Sequence, residues 1–176
     1  MIKPVFLERL LEVIAATGIL VFLSLPGAFC QDISAGEACL HNQQGMVYFK
    51  KGFYDHAPKN QAADAERNYG LAVKEFKAAI LRDFSYTEAH RNLARVYYVQ
   101  KNFDGAAEEY KRVTELAPGD LDAYVNLALA LLELKRPAEA IQVLENAKGH
   151  ACDPKALETL DSYIEKIRTH QDNEVR

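Results

Sequence analysis

A 34-residue beat constrains this chain more than any other feature. Ala72, Ala106 and Ala140 fall at that spacing. So do Phe76, Tyr110 and Leu144, and so do Ala79, Val113 and Ala147. The tripeptide Asn92-Leu93-Ala94 returns as Asn126-Leu127-Ala128. A fixed period of this length specifies stacked supersecondary units, each of which buries its apolar face only against a neighbour. One wrapped core is excluded, and a long surface open to a partner is expected.

The unit is helical. Leu93, Val96 and Tyr97 recur at helical spacing, and Ala106, Tyr110 and Val113 do the same after the polar break Asn102-Phe103-Asp104. Pro118-Gly119 stops the second helix. Small residues on one face let two helices approach closely, and large ones opposite fill the gap. Val, Ile and Thr are scattered rather than alternating, so nothing supports strands.

The segment Thr87–Asp120 resembles a tetratricopeptide repeat. Its matching positions are Leu93, Ala94, Tyr97, Ala106, Tyr110 and Pro118, with His90 where the family usually carries a bulky aromatic. A second unit, 121–154, repeats the pattern with Tyr124, Leu127, Ala128, Leu131, Ala140, Leu144 and Ala147, and departs from it with Cys152 at the proline position. A third, interrupted unit lies upstream, with Gly45 and Tyr48 on its first helix and Ala72, Phe76 and Ala79 on its second. The resemblance implies an all-α, right-handed superhelical stack of about three helix–turn–helix units. The expected organisation is 37–86, 87–120 and 121–154, then a capping helix over 155–170 and a tail over 171–176. On the cap, Leu157, Leu160, Tyr163, Ile164 and Ile167 share one face and charged residues the other.

The resemblance also implies where function lies. In such repeats the first helix of each pair lines a concave groove that holds a peptide or helix of another protein. Carried over position by position, the middle unit offers Glu88, Arg91, Asn92, Arg95, Tyr98 and Val99. The next offers Asp122, Val125, Asn126, Leu129, Leu132 and Glu133. The interrupted one offers Asn42, Gln43, Met46, Phe49 and Lys50. Asn92 and Asn126 suit an extended backbone, because each amide donates and accepts. Arg91 and Arg95, one turn apart, suit carboxylates. Phe49, Tyr98, Leu129 and Leu132 offer apolar footing. Some family members grip chaperone C-termini through a two-carboxylate clamp of Lys and Asn. Met46 and Asp122 depart from that pattern, which disfavours a chaperone-tail partner.

The first 30 residues read as a signal peptide or signal anchor, with 31–36 as a linker. Lys3 and Arg9 precede the apolar run Val13–Phe29, and Pro26-Gly27 breaks it before Cys30. The run is at the short limit for a membrane span, so a cleaved leader and a membrane tether through 13–29 are both open. Both readings place the repeats outside the cytoplasm, and with the family they suggest a bacterial periplasm. The formal net charge of −4 argues against a nucleic-acid partner.

No catalytic constellation emerges, so no enzyme and no cofactor is expected. Acidic residues sit beside Lys and Arg, as on solvated helix faces. His41, His56, His90, His150 and His170 include no pair at the spacing of a helical metal site. Cys39 and Cys152 belong to the first and third units, roughly 20 Å or more apart at ordinary helix spacing, which disfavours a disulfide between them unless the stack curls tightly; if Cys30 is retained, Cys30–Cys39 is the easier pair. Self-association through end helices is left open.

Overall fold

The computed structural model describes the backbone of residues 26–57 and 61–174, and the side chains of 34–57 and 61–170. The chain divides into two units, Met1–Gly36 and Glu37–Arg176, and the repeats belong to the second. Residues 1–25, most of the expected leader, lie outside the described residues.

Among the described residues seven α-helices run in order: α1 (Pro26–Lys50), α2 (Ala62–Arg82), α3 (Thr87–Val99), α4 (Phe103–Leu116), α5 (Leu121–Glu133), α6 (Pro137–Lys148) and α7 (Pro154–Glu174). A π-helical turn, Lys51–His56, prolongs α1. From α2 onward each helix packs on the next in sequence, as in a solenoid. The pairs α1/α2, α3/α4 and α5/α6 are the three units, and α7 is the cap. Two boundaries differ from expectation. Residues 31–36 are helical rather than a linker, and α7 runs to Glu174 instead of fraying at 171. Neither stretch has a helix-breaking Pro, and Gly36 alone does not stop α1.

Local chemistry sets the helix ends. The Asn102 side chain accepts from the Gly105 N–H (3.1 Å) to start α4, and Asp120 accepts from the Ala123 N–H (3.3 Å) to start α5. Pro137 opens α6. Lys101 and Lys135, again 34 residues apart, both have φ of 59°. They turn α3 into α4 and α5 into α6, at a cost of about 1 kcal/mol each for a non-glycine residue in that region.

All nine residues of the beat are buried. Ala72, Phe76, Ala79, Ala106, Val113, Ala140 and Ala147 have no exposed surface, and Tyr110 and Leu144 almost none. A fully buried large apolar side chain contributes about 1.5–3 kcal/mol, so this stripe carries much of the stack. Close approach explains the small positions. A Cβ on Gly45 would come within 2.6 Å of the Phe76 ring, so only glycine fits there.

The corner normally filled by an aromatic is built differently in successive units. In the first, His41 Nδ1 lies 2.7 Å from Glu75. In the second, buried His90 sits 2.6 Å from Glu109 and donates from Nε2 to the Phe84 carbonyl (3.2 Å). In the third, buried Tyr124 takes the place, with Val143 where Glu75 and Glu109 stand. The cap buries Leu160, Ile164 and Ile167. Lys148 holds it from α6 by pairing with Asp161 (2.6 Å), as does Glu145 with Arg168 (3.3 Å).

Candidate functional site

The first helices of the three units bring an aromatic cleft of about 250 Å³ together. Phe49 and Phe53 form one wall, from α1 and its π-turn. Arg95 and Tyr98 of α3 form the middle, and Asn126 and Leu129 of α5 the far wall. Phe49 and Phe53 meet with their rings tilted, 5.7 Å between centroids, and Tyr98 meets Phe103 edge-on at 5.3 Å. Phe53 is 41% exposed, Tyr54 65% and Leu129 43%, so the cleft presents apolar surface to water.

Arg95 is the charge of this cleft. Its guanidinium lies 5.6 Å from the Phe49 ring centroid, a cation–π arrangement. Among the described residues no carboxylate pairs with it. An exposed guanidinium held against an aromatic wall suits a planar carboxylate, which it would meet with two parallel N–H donors. Tyr110 of α4 is buried beneath the cleft, and burial pushes its pKa up to about 12, against an opposing pull from Arg95. Burial also raises the pKa of Tyr98, and the neighbouring Glu133 carboxylate adds to it.

Arg91, Asn92 and Asn42, three of the expected contact residues, bond within the scaffold. Arg91 pairs with Glu88 (2.7 Å) and with Asp120, the cap of α5. Its charge is already matched, so it is not a free carboxylate grip. Asn92 is buried and donates to Asn42 Oδ1 (3.0 Å), and Asn42 donates to the Tyr86 hydroxyl (3.3 Å). This amide chain ties α3 to α1. Asn126, in the equivalent place, donates to the Asp122 carbonyl of its own helix (2.8 Å) and still lines the cleft.

The remaining expected residues divide between core and surface. Met46 is half-buried in the cluster of Phe49, Tyr69 and Phe76. Lys50 is exposed on α1. Val125 and Leu132 pack against the core around Tyr124 and Leu131, and Leu132 also borders a second cleft toward α7. Phe53, Tyr54 and Tyr110 line the aromatic cleft without having been anticipated. Phe53 had a signal, since it follows Phe49 at i+4. Tyr110 had none, because the beat assigns it to the core. Cys39 and Cys152 are free thiols.

Two tetratricopeptide-repeat family models match residues 61–120 and 100–160, together more than half of the chain. The chain carries tetratricopeptide repeats. Among curated proteins, RNA polymerase II-associated protein 3 of Homo sapiens is 26% identical over 141 residues, covering 66% of this chain. A DnaJ homolog subfamily C member 7 homolog of Schizosaccharomyces pombe is 31% identical over 96 residues, covering 48% of this chain. The chain spans about a fifth of the length of these relatives, 21% and 20%. Among solved structures, the TPR2B domain of yeast Sti1, in its pHsp70 complex, superposes with a TM-score of 0.57 at 20% identity. The match covers 78% of this chain and 98% of that one. The second repeat domain of human RPAP3, in complex with an HSP70 peptide, gives 0.56 at 18% identity over 78% and 98%. These likenesses establish the repeat fold. In that fold the aromatic cleft lies on the first helices of the tetratricopeptide units.

Proposed function

We propose that this domain is a non-enzymatic adaptor that holds an extended peptide of a partner protein in the cleft of α1, α3 and α5. The observation that carries the reading is Arg95, a guanidinium with no carboxylate partner among the described residues, set on an exposed aromatic wall. The other cleft side chains are aromatic, aliphatic or amide, groups that bind and orient rather than transfer protons. The complexes of similar repeat domains, one with pHsp70 and one with an HSP70 peptide, support a peptide as the ligand class. The chaperone-tail pattern is still broken here, with Met46 packed into the core cluster and Asp122 exposed. The partner in this reading carries a carboxylate beside an apolar side chain and need not be a chaperone tail.

The leader-like residues 1–30 support a further step, that the adaptor works as an assembly factor of a bacterial envelope. No helix among the described residues is long and apolar enough to cross a membrane. A second reading, a tethered structural subunit that uses another face, is favoured by the exposure of Leu40, Val47, Leu81 and Phe84 outside the cleft. Site-specific photo-crosslinking separates the two. A photoreactive residue at Tyr54 should trap a partner in cells, and Arg95→Ala with Tyr98→Ala should abolish the adduct. Adducts from Leu81 that persist in that variant, with none from Tyr54, would support the structural subunit instead.

A further inference from the structure

The 34-residue beat does not end with the third unit. Leu129 plus one period is Tyr163, and Leu132 plus one period is Lys166. Thus α7 buries Leu160, Ile164 and Ile167 as a cap does, while at two groove positions it carries an aromatic ring and a cation. Tyr163 is 38% exposed, and Lys166 Nζ lies 5.8 Å from its ring centroid. Arg95 stands on Phe49 in the same way at 5.6 Å.

Between α5 and α7 lies a cleft of about 440 Å³. Leu132, Pro137 and Ile167 give it an apolar floor, and Lys135 and Lys166 stand on its rim with Glu133. Neither lysine has an ion-pair partner among the described residues, whereas Lys148 bridges Glu145 and Asp161. Glu133 lies toward Tyr98, between this cleft and the aromatic one.

We propose that this cleft is a second subsite of the same groove, and that the ligand is an acidic peptide held at both ends. One carboxylate meets Arg95, and a second meets Lys166 and Lys135 with an aliphatic side chain on Leu132 and Ile167. The proposal rests on the peptide-binding reading and adds the spacing of the ligand's charges. Arg95 and Lys166 sit on helices separated by α5. At about 8–10 Å per helix step they are roughly 16–20 Å apart. An extended chain rises about 3.3 Å per residue, so the two acids fall about five or six residues apart. Glu133 disfavours a third acid between them.

The test is selection of a displayed random nonapeptide library on the full chain, on Arg95→Ala, and on Lys135→Ala with Lys166→Ala. The wild type should enrich peptides with two acidic positions five or six apart. The lysine variant should lose one of these positions and the arginine variant the other. A synthetic winning peptide should bind the lysine variant about two- to five-fold more weakly, with unchanged thermal melting. Enrichment of a single acidic position, indifferent to the lysines, would overturn the second subsite and leave the peptide reading standing. No enrichment, or enrichment indifferent to Arg95 as well, would overturn both.

Discussion

The second and third repeats share a helix–turn–helix backbone and differ in the side chains on their first helices. Their second helices have the same buried stripe, Ala106, Tyr110 and Val113 against Ala140, Leu144 and Ala147. Both turn through a left-handed lysine. On the first helices the likeness stops. His90, Arg91, Arg95 and Tyr98 correspond to Tyr124, Val125, Leu129 and Leu132. At these four positions the second repeat carries three cationic or hydrogen-bonding side chains and a tyrosine, and the third carries three aliphatic side chains and a tyrosine. The stripe fixes geometry, because a changed volume there is felt at once in a close-packed interior. The groove positions are free to set chemistry.

The largest effect should come from the shared stripe. Leu144→Ala is expected to cost about 2–5 kcal/mol in urea unfolding, since the site has little room to collapse. A loss under about 1 kcal/mol would show that the third repeat is not built as the second is. Next comes the corner. His90→Ala strips partners from Glu109 and the Phe84 carbonyl and should cost about 2 kcal/mol. The double change His90→Tyr with Glu109→Val copies the third repeat and should recover most of that. If the copy is no better than the deletion, the two corners are not interchangeable solutions.

The two asparagines give a finer contrast. Asn92→Ala leaves Asn42 short of a buried partner and should cost about 1–2 kcal/mol. Asn126→Ala, at the same repeat position, should stay within about 0.5 kcal/mol, because its bond is local and part-exposed. Equal losses in thermal melts would undo the distinction. The smallest effect is alkaline. Tyr110 has its pKa raised to about 12 by burial, while Leu144 opposite does not titrate. A pKa raised from 10.0 to about 12 means the stabilisation is complete below the lower value and is lost as pH rises through that window. By about pH 11 the loss should be about 1 kcal/mol, and Tyr110→Phe should flatten it. An unchanged alkaline profile in that variant would assign the effect to other tyrosines.

The stack was legible in the sequence because a period is a geometric statement. Ala72, Phe76 and their counterparts had to face one way, and they do. The site was only partly legible. Position within the repeat identified Phe49, Arg95, Tyr98, Asn126 and Leu129, all of which line the cleft. It said nothing of what stands across from each residue. Arg91 and Arg95 look alike on a helix, but Asp120 reaches the first and no carboxylate among the described residues reaches the second. Asn92 and Asn126 look alike too, but only Asn92 bonds to Asn42. The edge of the cleft also includes Phe53 and Tyr54, which lie on a π-helical turn beyond the family's spacing.

Arg95, and not Arg91, is the residue expected to receive the ligand's carboxylate. Titration calorimetry with a library-selected acidic peptide decides between them, on Arg95→Ala and Arg91→Ala side by side with thermal melts. Arg95→Ala should weaken binding about tenfold at an unchanged melting temperature, as for a lost charge-assisted contact. Arg91→Ala should lower the melting temperature and, while folded, bind within about twofold of wild type, because its charge serves Glu88 and Asp120. Full affinity in Arg95→Ala, with binding lost in a folded Arg91→Ala, would contradict this assignment.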